Sequence, residues 1–467
     1  MRPTLSRIAA RPRLRRLLSL LAAAGLCSGA GLAHATTLDL RTAVDRALLA
    51  EAKYRAARAE YAAMQQEIPR ARAGLLPQLS ASGSRTDNRA DITQTNALGQ
   101  NTSRDSDYVS SNYSVTLRQP LVRYDSWIKY RQADTRVEHA GRQVELAHDS
   151  LILSVGESYL NCLLADAVAQ FARAEVSALE GLLEAATRGL TAGTATRTDV
   201  LDAEARLDSA RVKLIEARHG IDAARRTLEA AVGEPIDAIR AIDAERLVLG
   251  NLSGRIDDWR EAALAGNPEI AAARLAVDLA RDETRLQRAG HYPTLDFIAQ
   301  RQLAESDSIS TLGTRTHTNL WGFQANIPLF AGGYVIASTR QATARLERAQ
   351  AELDATVEQI TLRSARAVEG LKAASQRVQA LARAEDSAAA ALVGTEKGLR
   401  AGTRSFIDVL NARQQLFEAR QNRARANAEF VLGLLELKAS AGELDDAAIT
   451  AANSLLATDV AIDLNSD

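Results

Sequence analysis

Residues 189–201 read GLTAGTATRTDVL and residues 398–410 read GLRAGTRSFIDVL, so eight of thirteen positions are identical without a gap at an offset of 209. Two shorter pairs of similar segments follow in the same order, 72–79 with 288–295 and 120–121 with 328–329. Ordered matches at nearly one offset indicate an internal duplication. We therefore predict a first repeat at 36–250, a second repeat at 251–443 and a C-terminal tail at 444–467.

A seven-residue periodicity of apolar and small residues runs through the middle of each repeat. Its positions are Val137, Val144, Leu151, Ser158, Ala165, Ala172, Leu179 and Ala186, and then Leu346, Leu353, Ile360, Ala367, Ala374, Leu381 and Ala388. Sustained heptads predict a long helix in coiled-coil-like packing. We place these helices near 125–190 and 333–399. A second helix follows each, near 196–232 and 405–440, and a further helix opens each repeat.

Other segments of each repeat alternate between apolar and polar residues with a period of two, as in 78–84, where Leu79, Ala81 and Gly83 alternate with serines. This pattern is typical of strands with one apolar and one polar face. We predict two strands near 76–122 and two near 293–330. Between them, the stretches 85–110 and 302–319 are rich in Ser, Thr, Asn and Gly, which predicts exposed loops. The scarce aromatic residues gather beside these strands, at Tyr108, Tyr113, Tyr124, Trp127, Trp321, Phe323, Phe330 and Tyr334.

Four strands with one apolar face and flanking aromatic residues suggest a membrane barrel, but four strands cannot close one. Known membrane barrels start at about eight strands, and an open sheet edge is not viable in lipid. Subunits must therefore pool their strands. Two chains would give eight strands and three would give twelve, and composition alone does not choose between them.

The N-terminus has the pattern of a secretory signal peptide at 1–35, with six arginines, the apolar segment 17–26 and small residues before the cleavage site. We expect cleavage after Ala35 rather than lipidation at Cys27. The remaining chain has 51 basic and 58 acidic residues, which argues against nucleic acid as a partner. It has no run of about 18 apolar residues, so no transmembrane helix is predicted. Its lone cysteine, Cys162, is expected to be a buried apolar residue.

The order of these elements resembles the TolC family of outer-membrane factors. The matching segments are AGLLPQL, RQPLVRYD, ESYLNCLLA, AGTATRTDVLDAEARL, AGHYPTLDF, NIPLFAGGYV and AGTRSFIDVLNARQQLFEAR. The resemblance covers about 45–445. It implies a mainly α protein with β strands, in which a homotrimer forms a twelve-stranded outer-membrane β-barrel continuous with a periplasmic α-helical barrel. It also implies an equatorial layer from segments near 233–257 and 440–455. The tail from Leu444 does not match and is expected to be partly disordered.

The resemblance also implies a function, that of the outer-membrane exit duct of a tripartite efflux pump or a type I secretion system. Such proteins dock on a periplasmic membrane-fusion adaptor and an inner-membrane ABC or proton-driven transporter. The cargo, drugs or polypeptides, is left open. The alternative is a periplasmic adaptor-like coiled-coil tether, which would not need two duplicated strand pairs. No enzyme activity, cofactor or metal site is expected, because the histidines form no HExxH or other short metal spacing.

The resemblance assigns pore residues around the two repeated segments. Asp408 matches a family aspartate that forms a ring at the tunnel constriction, and Asn411, on the same helical face, stands where some relatives have a second aspartate. Arg404 matches a gate residue expected to bond toward Thr198 and Asp199 between neighbouring helices. The alternative interpretation is that Asp199 and Asp408 only cap helices.

Two glycines, Gly193 and Gly402, end the tight turns at the tips of the helical hairpins. The resemblance implies that both contact the adaptor. A positive φ angle, which any such turn could require, is the alternative reason for glycine at both positions.

Overall fold

Two long helical hairpins dominate the computed structural model of the chain. It describes residues 37–95, 98–243, 247, 255–308 and 311–464. The predicted signal peptide, including Cys27, lies outside the described residues.

In each repeat, shorter helices precede two strands, and a long helical hairpin follows the strands. In the described part of the chain the helices are α1 (Leu40–Ala50), α2 (Ala52–Gln65), α3 (Glu67–Ala73), α4 (Tyr124–Thr191), α5 (Arg197–Val232), α6 (Ile256–Gly266), α7 (Pro268–Ala289), α8 (Tyr334–Arg400), α9 (Phe406–Ala441) and α10 (Asp446–Asn453). The strands are β1 (Gln78–Thr95), β2 (Asn101–Val122), β3 (Ala238–Ile242), β4 (Thr294–Ser308), β5 (Thr311–Asn326) and β6 (Leu456–Asp463).

The duplication is visible in the lengths of the helices. α4 has 68 residues and α8 has 67, whereas α5 and α9 have 36 each. At 1.5 Å per residue, α4 is about 100 Å long. Several heptad positions of α4 are buried against other helices of the chain, but most of those in α8 stay half-buried. The apolar stripe of α8 is therefore only partly covered within one chain.

β1, β2, β4 and β5 form one antiparallel sheet in that order, so the β2–β4 pair joins the two repeats. The prediction that 85–110 and 302–319 are loops is wrong. β1 and β2 pair continuously from Gln78–Arg118 to Thr95–Asn101. Polar side chains are compatible with a strand when they form hydrogen bonds with the neighbouring strand. Ser82 and Ser114 form such a bond at 2.8 Å.

The register of the sheet collects apolar residues on one face. One row across the four strands consists of Leu79, Leu117, Ala299 and Trp321. The adjacent row consists of Ser80, Thr116, Gln300 and Leu320, and points to the opposite side. The sheet therefore has one mainly apolar and one mainly polar face, as the alternation in the sequence predicts.

The C-terminal tail is folded, contrary to the expectation of partial disorder. Residues 446–453 form α10, and β6 pairs with β3 in a small antiparallel sheet. Ile449, Ala452 and Leu456 are buried in the largest hydrophobic cluster of the chain, and this burial explains why the segment is ordered. Both segments predicted to form an equatorial layer contribute to this region.

The same cluster buries the middle of α4. An 18-residue window of α4 has a mean hydropathy of 1.3, so by length and composition it could cross a membrane, although no transmembrane helix was predicted from the sequence. Half of the window is buried within the chain, and packing against α1, α5 and α9 explains its apolar composition. Cys162 is fully buried there, and desolvation raises the pKa of its thiol to about 12.

Candidate functional site: the hairpin tips

The two helical hairpins end in the same backbone turn. In the first, the carbonyl of Gly189 accepts the N–H of Thr194 at 2.8 Å, and in the second the carbonyl of Gly398 accepts that of Thr403 at 2.9 Å. Gly193 and Gly402 both have φ of +74°, in the left-handed region that favours glycine. Both glycines are exposed. The turn therefore explains the glycines, and their exposure leaves room for a partner.

A capping box begins the helix after each turn. The backbone N–H of Thr196 donates to Asp199 Oδ2 at 2.8 Å, while that of Asp199 donates to Thr196 Oγ1 at 3.2 Å. Ser405 and Asp408 repeat this arrangement at 2.9 and 3.1 Å. These bonds, and weaker attraction to Arg404, hold the pKa of Asp408 below its ordinary value. The predicted aperture residue Asp408 and the predicted gate residue Asp199 thus both cap helices.

Each capping aspartate uses only one of its carboxylate oxygens. All the hydrogen bonds that join Asp199 and Asp408 to other described residues through their side chains end on Oδ2. The second oxygen of each carboxylate therefore stays available, so helix capping and a bond to a further donor are compatible. A carboxylate can accept about four hydrogen bonds.

The predicted gate residues do not meet within one chain. Arg404 and Thr198 are exposed, and no hydrogen bond or ion pair joins the Arg404 side chain to another of the residues that the structure describes. Asn411, the second predicted aperture residue, accepts a hydrogen bond from Arg206 Nη2 at 2.9 Å. Arg206 was missed in the sequence because its partner lies 205 positions away, in the other repeat.

Packing beneath the two tips is unequal although the turns are alike. Leu410 is 2% exposed and packs with Leu179 and Leu207 between the hairpins, whereas Leu201, its counterpart in the first repeat, is 54% exposed. The outer side of α5 is thus left uncovered at the tip.

A second charged centre, which was not predicted from the sequence, lies where the sheet meets the helices. Asp296 of β4 is 3% exposed and accepts hydrogen bonds from Arg118 Nε of β2 at 3.0 Å and Arg123 Nη2, just before α4, at 2.8 Å. Both arginines lie in the segment RQPLVRYD, so their closeness in the sequence was a signal of a charged site. Their carboxylate partner could not be found in this way, because its position depends on the β2–β4 register. This centre fixes the start of α4 against the sheet.

Among the described residues, no group of three or more His, Cys, Asp or Glu side chains is placed to hold a metal ion.

Helical hairpins about 100 Å long, joined to a sheet with one apolar face, are typical of a channel protein that combines membrane strands with long helices. The family described as Outer membrane efflux protein matches residues 43–234 and 259–443, one block in each repeat. The chain therefore belongs to the outer membrane efflux protein family, which includes TolC.

Individual relatives agree with this assignment. The chain is 35% identical over 416 residues to the alkaline protease secretion protein AprF of Pseudomonas aeruginosa, covering 88% of this chain and 86% of the relative. It is 32% identical over 420 residues to the proteases secretion protein PrtF of Dickeya chrysanthemi, covering 88% and 90%. Its fold is similar to that of CusC, with a TM-score of 0.74 at 18% identity over 90% of this chain and 95% of that one.

The chain is thus an exit duct of the outer membrane of a Gram-negative bacterium, with a large periplasmic part, serving efflux or type I secretion. Its family is one of channels rather than enzymes. The alternative of a periplasmic adaptor-like tether is set aside, because the family match extends over both repeats.

Proposed function

We propose that three copies of this chain close a twelve-stranded barrel in the outer membrane, continuous with a helical tunnel. The observation that carries the proposal is the open sheet, in which β1 and β5 each pair on one side only. β1 and β5 run in opposite directions, so β5 of one copy can add to β1 of the next as an antiparallel pair. The half-buried apolar stripe of α8 supports the same assembly, and the TolC family favours three copies.

The molecular mass of the detergent-solubilised protein tests the number of subunits. Multi-angle light scattering, corrected for bound detergent, should give three times the mass of the mature chain. A dimer would support the eight-stranded alternative and overturn the trimer. A stable, folded monomer would contradict the shared barrel altogether.

The cargo is a polypeptide, exported by a type I secretion system with an inner-membrane ABC transporter. AprF and PrtF, both more than 30% identical to this chain, are named for the secretion of proteases, and this similarity supports the assignment. Deleting the gene should remove specific proteins from the culture supernatant, measured by mass spectrometry, and leave drug susceptibility unchanged. Raised drug susceptibility with an unchanged supernatant would support the other cargo, with a proton-driven pump as partner.

A periplasmic membrane-fusion adaptor binds the hairpin tips, including Gly193 and Gly402. A groove of about 520 Å³ is lined by α4, α5 and α9, with Phe171 and Phe417 among its residues, and could take an adaptor helix. A photo-crosslinking residue at Thr194, beside the first turn, should capture the adaptor in cells. Thr187, exposed on α4 above the turn, is the matched control and should give a weaker cross-link. Equal cross-linking from both positions, or none from either, would contradict docking at the tips.

Asp408 and Asn411 line the aperture of the closed tunnel, and Arg404 bonds to Thr198 and Asp199 of an adjacent hairpin. The free second oxygen of Asp199 supports this arrangement, because the capping box does not consume it. Arg404 is exposed, and its side chain makes no hydrogen bond or ion pair with the described residues of its own chain. In a trimer each of these contacts would occur three times around the aperture.

A further inference from the structure

Arginines interrupt the apolar face of the sheet at the limit of its apolar band that lies farther from the helices. Arg301 of β4 lies in a row with Val115 and Asn319, on the face that carries Trp321 and Phe323. Arg85 of β1 lies on the same face, two side-chain steps farther out.

The depth of Arg301 in the membrane follows from the length of the apolar band. A membrane-spanning strand needs about 9–11 residues. Ile327 lies at the end of the sheet next to the helices and is 62% exposed. A ten-residue span that starts at Ile327 ends near His317. Arg301 pairs in register with Asn319, two residues inside that limit. At about 3.3 Å per residue and a strand tilt of about 40°, Arg301 is about 5 Å below the outer edge of the band.

The charges at this level are not balanced. Arg315 forms an ion pair with Glu305, but no hydrogen bond or ion pair joins Arg301 or Arg85 to another residue in the described part of the chain. Both side chains are exposed. Farther out, Arg89 pairs with Asp107 and the same face becomes acidic. The excess of positive charge is thus confined to a layer about as thick as a lipid headgroup.

An arginine on a lipid-facing surface needs a partner, because an unpaired charge in hydrocarbon is costly. Its long side chain can extend to the headgroup region, where phosphate oxygens are the acceptors present. A guanidinium binds a phosphate group through two parallel hydrogen bonds. Arg301 and Arg85 are about 10 Å apart across the strands and about 13 Å apart along them, so their side chains can reach separate phosphates of one large headgroup.

We propose that Arg301 and Arg85 bind the phosphate groups of a lipid in the outer leaflet of the outer membrane. The lipid's acyl chains then lie along the apolar face near Val115 and Trp321. This inference rests on the proposed barrel, because the barrel decides which face of the sheet meets lipid.

Native mass spectrometry of the delipidated protein, mixed with diphosphorylated lipid A, tests the proposal. The wild type should retain the lipid, and dephosphorylated lipid A should bind about tenfold less. Arg301→Gln with Arg85→Gln should lose binding to the same extent. Arg104→Gln is the matched control, since Arg104 is exposed on the polar face of β2, and it should bind like the wild type.

Several outcomes would overturn the site. Equal binding by the double variant, or equal loss in the Arg104→Gln control, would remove the two arginines from lipid recognition. Displacement of lipid A by millimolar inorganic phosphate would indicate a site for the free ion instead. Arg301→Lys, which keeps the charge and the fold, should bind with intermediate affinity, and wild-type affinity in it would exclude bidentate recognition. The same spectra report the subunit number, so failure of the barrel is seen separately from failure of the lipid site.

Discussion

Replacing Phe323 by aspartate places a charge in the middle of the proposed lipid-facing band. Phe323 is 69% exposed in the single chain and lies four residues from Ile327 and six from His317. With the same rise and tilt it lies about 10 Å from the inner edge of a band about 25 Å tall. The substitution therefore falls close to the bilayer midplane, where a charge is most costly.

The cost can be estimated from two contributions. Arg or Lys at the midplane of a barrel costs about 2–4 kcal/mol and aspartate less, so about 2 kcal/mol is a reasonable value. The substitution also removes the ring contact with Phe297, whose centroid lies 5.6 Å away, worth about 0.5–1.5 kcal/mol. The sum is about 3 kcal/mol per chain, or roughly a hundredfold in an equilibrium constant, and it recurs in every subunit.

The assay is the fraction of heat-sensitive oligomer extracted from the outer membrane, together with its urea unfolding midpoint. Phe323→Asp should reduce both. The control is Thr318→Asp on the polar face, which pairs with Gln302. Gln324 is less suitable, because an aspartate there would lie opposite Asp296. Equal loss in Phe323→Asp and Thr318→Asp, or no loss in either, would refute the assignment of the faces.

Three further predictions concern the tunnel and its support. Arg404→Ala together with Asp199→Ala should raise single-channel conductance in planar bilayers, although each exposed pair contributes only about 0.2–1 kcal/mol; unchanged conductance would leave Asp199 as a cap alone. Asp408→Ala should weaken cation preference and block by multivalent cations. Because the pKa of Asp408 is lowered, the wild type should keep this block at pH values above the ordinary aspartate pKa of 3.8 and lose it as the pH falls below that value. Tyr159→Phe removes a buried hydroxyl that donates to a β3 carbonyl at 2.9 Å, and should lower the free energy of unfolding by about 1–2 kcal/mol in urea titrations, without changing conductance.

The sequence predicted the structure best where a long, regular pattern is compatible with only one type of packing. Seven consecutive heptads allow little choice other than a long helix, and α4 begins and ends within one residue of the predicted 125–190. The apolar face of the sheet was predicted from the period-two alternation for the same reason, because this regular pattern fits only a strand with two different faces. Composition misled in 85–110, because serine and threonine are common in loops but also pair well across strands when both faces are polar. Whether they do so depends on a partner strand, which local sequence does not specify.

At the hairpin tips, the repeated segment predicted both capping aspartates and both turn glycines, because caps and turns are local. It could not predict the bond from Arg206 to Asn411, which joins different repeats. Nor could it predict that Asp296 holds two arginines, since that depends on the register between β2 and β4. The difference in burial between Leu410 and Leu201 is of the same kind, because the fold gives two similar local sequences different neighbours.

The length of the hairpin formed by β1 and β2 has a practical consequence for the cell surface. β2 has 22 residues, of which about ten suffice to cross the bilayer, so about 30 Å of paired strand projects beyond it in the proposed barrel. Continuous hydrogen-bonded strands resist proteases, which need an extended and unpaired backbone. Gly99, with φ of +79° and no atom near an added side chain, lies at the hairpin tip. An epitope inserted there should be displayed on intact cells without disturbing export.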